Sequence, residues 1–170
     1  MVAFITLTIS VFQLNAQEIN YKTYSVFVYN FMKYIEWPST SNSSDQFIIY
    51  VIGNSKIKTE FDQLAKSKKI KGKNIIIKSA QDVQDFSDAN LIYLSENKSS
   101  IIKEVQNKLK NKNVLLVGER EDMARKGAAI SFVVMEETDE LSFDINLKEL
   151  SDKKLQISNS LLKLGNVVAE

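Results

Sequence analysis

Three short loops carry the residues that could do chemistry: Gly53, Asn54 and Ser55, then Ser95 and Glu96, then Gly118, Glu119 and Arg120. Each follows an apolar run of strand length. Hydroxyls, two carboxylates and a guanidinium converging at strand ends would form a pocket for a phosphate or another small ligand. The pattern is not a specific one, because GNSK is not a Walker loop and no GxGxxG occurs, so turn chemistry is the plainer account. Glu36, Trp37 and Pro38 form a second set, which joins the chain's only tryptophan to its only proline. A tryptophan at a helix end either fills the core or stands as a rigid anchor for a partner. Asn146, after the last apolar run of strand type, reads more readily as a residue that satisfies turn backbone than as a ligand contact.

Absences narrow the chemistry. The chain has no histidine and no cysteine, which removes imidazole catalysis, thiol nucleophiles, disulfides and the usual zinc sites. A carboxylate pair, a serine with a lysine base, or a hard metal held by oxygens would remain, and none has a recognisable spacing here. Glu136, Glu137, Asp139 and Glu140 lack the glycine and ligand order of a calcium loop, so an exposed turn is expected. No catalytic residue, metal or cofactor is assigned. Arg120 could pair with Glu119 or Glu121, or form a carboxylate-binding fork.

The basic and acidic residues nearly balance, at 22 and 21, and only Arg120 and Arg125 are arginines. Lysines seldom read bases, so no nucleic-acid role is expected. Eight lysines fall between Lys56 and Lys78, against Glu60 and Asp62. A solvated face explains them most simply. The other reading is a basic face for anionic lipid head groups or for an acidic partner.

The elements that would position these residues follow from periodicity. With 170 residues, 44% of them hydrophobic, the chain suits one core. Residues 1–16 are uncharged and largely apolar and end in Ala16, the pattern of a secretory signal peptide. A buried N-terminal strand and an uncleaved anchor are the alternatives. Residues 17–170 then form a single α/β domain. Tyr24, Phe27, Val28, Phe31, Tyr34 and Ile35 recur at helical spacing over 18–37, and Pro38 is expected to end that helix. A polar linker over 39–46 contains one glycosylation sequon at Asn42. Strands are predicted at 47–52, 74–78, 90–94 and 113–118, helices at 55–67 and 99–111, and a short helix at 121–127. Residues 128–134 and 141–145 read as a hairpin, and 155–168 as a C-terminal helix. Alternating strands and helices imply a three-layer α/β sandwich. Its sheet should be mostly parallel, with five to six strands and a C-terminal antiparallel hairpin edge. A receiver domain shares the rhythm but would want an aspartate where Leu94 and Ser95 stand.

Several stretches together resemble the YfiR-like periplasmic proteins: YSVFVYNFMKYIEWPS, FIIYVIGNS, ANLIYLS, VLLVGEREDMARKGAAISF, FDIN and LQISNSLLKL. They occur in family order and cover nearly the whole chain after residue 20. The resemblance implies a periplasmic, non-enzymatic repressor that acts on the periplasmic part of an inner-membrane diguanylate cyclase. It links the chain to cyclic-di-GMP, biofilm and envelope-stress signalling. An outer-membrane lipoprotein is the implied second partner, and a homodimer stays open. YfiR itself contains disulfide-forming cysteines; this chain has none, so redox sensing does not carry over. A periplasmic small-ligand binding protein and a regulator of a sensor histidine kinase are the alternatives.

Overall fold

A computed structural model describes residues 19–39, 44–135 and 137–168. The expected signal peptide and the sequon asparagine lie outside these residues. The described chain opens with helix α1 (Tyr21–Tyr34) and the two-residue strand β1 (Ile35–Glu36), followed by β2 (Gln46–Ile52), α2 (Ile57–Ser67), β3 (Lys69–Ile70), β4 (Lys73–Ala80) and β5 (Leu91–Leu94). A 3-10 turn (Glu96–Ile101) leads into α3 (Ile102–Lys108). Then come β6 (Leu115–Gly118), β7 (Ile130–Val134), β8 (Leu141–Ile145), α4 (Leu147–Asp152), β9 (Gln156–Ile157), α5 (Asn159–Leu162) and β10 (Asn166–Val167).

Eight strands form one sheet in the order β10-β8-β7-β6-β5-β2-β4-β3. Its centre, β4-β2-β5-β6-β7, is parallel throughout. β3 joins β4 and β8 joins β7 in antiparallel fashion. The sheet works because its strands are apolar on both faces. Phe47, Ile49 and Val51 pack with α1 and α2 residues such as Phe31 and Phe61 on one side. Ile48, Tyr50 and Ile52 pack with Phe86, Ile102 and Val105 on the other. Burial on both faces is why these strands read as unbroken apolar runs. The three-layer α/β sandwich is therefore present, with a sheet of eight strands rather than five or six.

Four local expectations are corrected. The first helix ends at Tyr34, short of Pro38, because Ile35 is extended (φ −101°, ψ 137°) and pairs with Ile157 of β9. Along its face Tyr34 is 38% exposed, and Met32 is buried in its place. Residues 121–127 form turns rather than a helix, and the loop ends at Gly127 with φ 109°. The C-terminal run is divided into β9, α5 and β10, so the hairpin is not the sheet edge: β10 adds to β8 in parallel. The register Ile35↔Ile157 and Asn166↔Asp144 explains the division, since backbone pairing at both ends of the segment replaces a continuous helix.

Candidate functional site

The strand order reverses between β2 and β5, with β4 on one side and β5, β6 and β7 on the other. The carboxyl ends of β2, β5 and β6 therefore bring together Gly53, Asn54 and Ser55 with Ser95 and with Gly118 and Glu119. This is the crevice position that an open α/β sheet offers to ligands. Gly53 is fitted to it. With φ 93°, its backbone runs so close to the 3-10 turn that a Cβ would lie 2.6 Å from Asn97 Oδ1 and 3.3 Å from Ser95 Cβ. Its N–H donates to Ala80 O at 2.8 Å. Asn54 is exposed, receives a hydrogen bond from Gln81 Nε2 and donates its backbone N–H to Asn97.

Glu119 fills the crevice. It is only 6% exposed, accepts the Ser55 hydroxyl at 2.6 Å through Oε1, and accepts the Glu96 N–H at 2.6 Å through Oε2. The second contact serves the first turn after Ser95, whose early backbone N–H groups have no intrahelical acceptor. The carboxylate thus stands where an anionic ligand would stand in a crevice of this kind. It ties the end of β6 to the loops after β2 and β5.

Tyrosines close the space around it. The Tyr21 hydroxyl, from the first turn of α1, is raised above its usual value by burial and by the Glu119 charge. Tyr24 is pushed up to about 12 by burial first and Glu119 second. Tyr93 is raised well above the usual value, again by burial and then Glu119. Its hydroxyl lies near the carboxylate without hydrogen-bonding geometry, and it and Ser95 Oγ are buried with no partner among the described residues. Sequence reasoning missed these three tyrosines. Tyr24 and Tyr93 read as apolar stripe and strand residues, and nothing local says that α1 starts above the strand ends.

Arg120 is exposed and forms neither a carboxylate fork in the crevice nor, among the described residues, an ion pair. Asn146 is buried in a structural clamp. Its Oδ1 accepts from Glu149 N at 3.0 Å, which caps α4, and its Nδ2 donates to Ala124 O at 2.9 Å.

Glu36, Trp37 and Pro38 lie at the opposite end of the strands, so the expected residues divide into two sites. Trp37 meets Phe47 edge-on, with ring centroids 5.1 Å apart, and donates its indole N–H to Asn90 O at 3.3 Å. Glu36 pairs with Lys71 at 2.6 Å. Together with Pro38, Ile70 and Lys73 these residues line a surface cavity of about 210 Å3. Larger cavities of about 320 and 500 Å3 are lined by Thr23, Tyr24 and Leu141, and by Gln106, Glu149 and Lys153.

A family described as DUF4154, YfiR/HmsC-like, matches residues 21–166. No curated protein matches the chain. Two solved structures share its fold. One is a conserved domain protein from Vibrio cholerae O1 biovar El Tor, 12% identical, with a TM-score of 0.60 over 85% of this chain. The other is an ABC domain in complex with L-Trp from Streptococcus pneumonia, 14% identical, with a TM-score of 0.52 over 72% of this chain. This chain spans 60% of the first protein's length and 55% of the second's.

Proposed function

The chain belongs to the YfiR/HmsC-like family, and from that membership we propose that it is a non-enzymatic periplasmic regulator which represses an inner-membrane diguanylate cyclase by binding the cyclase's periplasmic part. The match over residues 21–166 carries this reading, because it includes nearly every described element. The crevice geometry supports a binder over a catalyst. Glu119, the carboxylate at the strand ends, holds Ser55 and the Glu96 N–H, and its neighbours are tyrosines whose hydroxyls stay protonated. A general base needs access to a substrate proton, and this one is enclosed by its own fold. The same enclosure weighs against a small ligand in that crevice. The N-terminal signal pattern supports export, and among the described residues no helix is long and apolar enough to cross a membrane. An outer-membrane lipoprotein that sequesters the repressor completes the proposal.

Deletion of the gene tests it. Cyclic-di-GMP and surface adhesion are expected to rise and to return to the starting level when the chain is supplied in trans. Unchanged cyclic-di-GMP would remove the cyclase from the proposal. In that case a sensor histidine kinase is the remaining regulatory partner, and capture with the exported protein identifies it.

A further inference from the structure

The charge on this molecule is balanced in sum and polarised in space. Lys66, Lys68, Lys69, Lys71 and Lys73 fall within eight residues that contain no acid. They surround the β3–β4 hairpin at one edge of the sheet, where Lys69 pairs with Asn74 and Ile70 with Lys73. The hairpin turns at Lys71 and Gly72, with φ 49° and 82°, the two left-handed residues of a tight primed turn, so it projects as a narrow ribbon. Lys66, Lys68, Lys69 and Lys71 are exposed, and Lys71 pairs with Glu36. Glu137, Asp139 and Glu140 are exposed in the β7–β8 turn, near the other edge of the sheet and at the opposite end of its strands.

We propose that the β3–β4 hairpin is a docking surface for an anionic lipid bilayer. Its composition separates a bilayer from a protein partner. Protein interfaces are enriched in arginine and aromatic anchors and depleted of lysine. The stretch 66–73 has five lysines and no arginine, and the neighbouring half-buried Trp37 already packs on Phe47 and donates its N–H to Asn90. A plane of phosphate head groups asks only for a number of positive charges at short range. The acidic turn at the diagonally opposite corner then orients the molecule, since the same surface repels it. Docking would hold the regulator where an inner-membrane partner presents its periplasmic part. The inference rests on the proposed place of action at that membrane, but its test does not use cyclase output.

The test is partition of the full chain between buffer and vesicles, either phosphatidylcholine alone or phosphatidylcholine mixed with phosphatidylglycerol. The ratio of the two partition constants is the readout, because the uncharged first seventeen residues contribute alike to both. Anionic vesicles should be favoured, and the preference should fall as salt rises. Each lysine removed from this cluster should lower it about fivefold, so the triple variant K66Q/K68Q/K69Q should lose about a hundredfold at low salt. The triple variant K103Q/K108Q/K110Q, on and just beyond α3, should change the ratio far less. Equal partition on both vesicles overturns the inference, as does a hairpin variant that keeps the preference. If vesicles are ignored while the hairpin variant loses capture of a protein partner, the surface belongs to a protein and the lipid assignment falls. A flat vesicle response beside a rise of cyclic-di-GMP on deletion removes this inference and leaves the regulatory one standing.

Discussion

Trp37 answers, in one side chain, whether the Glu36-Trp37-Pro38 step is core or surface: it is both. Its ring packs on Phe47 and its N–H reaches Asn90 O, yet one side borders the cavity shared with Pro38 and Lys71. Truncation to alanine should cost about 3 kcal/mol, at the low end for a buried aromatic because the ring is only partly enclosed. Trp37→Phe keeps most of the packing and loses the indole donor, so about 1 kcal/mol is expected. Urea unfolding with an unchanged m-value measures both, and a Trp37→Phe variant as stable as the natural chain would deny the indole hydrogen bond any part. At the other end of the strands, Glu119→Gln leaves one acceptor oxygen where two served, and turns an NH2 toward either Ser55 or Glu96 N. About 2 kcal/mol should be lost. The substitution also removes the second cause of the raised Tyr24 value. Because the native state holds Tyr24 neutral up to about 12 while the unfolded chain ionises near 10, stability should fall as pH rises above 10. That fall should be shallower in Glu119→Gln, as thermal melts at successive alkaline pH values would show.

At the scale of elements, the parts legible in the sequence were those set by local pattern. Strands β2, β5 and β6 announced themselves because burial on both faces demands apolar runs, and the hairpin of β7 and β8 because it turns around MEETDE. The misread segments are those decided by distant partners. Residues 155–168 have helical spacing, but pairing of Gln156 and Ile157 with β1 and of Asn166 and Val167 with β8 outweighs it. The pattern over 121–127 predicts a helix. The segment is held open instead by contacts from far along the chain: Ser131 Oγ accepts the Ala124 N–H, and Asn146 Nδ2 donates to Ala124 O. The site follows the same division. Gly53, Ser95 and Glu119 were legible from their places after strands, whereas Tyr21 joins them only because α1 starts over the strand ends. Asn146 spans two elements at once, so Asn146→Ala should cost about 2 kcal/mol by uncapping α4 and releasing the loop. Asn146→Asp keeps the acceptor for Glu149 N and loses the donor to Ala124 O, so it should recover only part. Full recovery would mean that the loop needs no clamp.

At the scale of the whole molecule, the two apolar layers share one sheet. Phe31 and Phe86 lie on opposite faces, both fully buried, and each β2 residue between them alternates from one layer to the other. A layer cannot melt alone without exposing the strands that support its neighbour, and the chain has no disulfide or metal cluster among its described residues to hold a part together. Unfolding should therefore be a single cooperative transition. Phe31→Ala and Phe86→Ala should each cost about 4 kcal/mol. Because they do not touch, their losses should add within about 0.5 kcal/mol in the double variant, provided that it still folds. Trp37 fluorescence reports the α1 side and far-ultraviolet circular dichroism reports the whole. The two curves should coincide in the natural chain and in each single variant. Separate midpoints, with Phe86→Ala shifting the dichroism and not the fluorescence, would show that the α3 layer folds as its own unit.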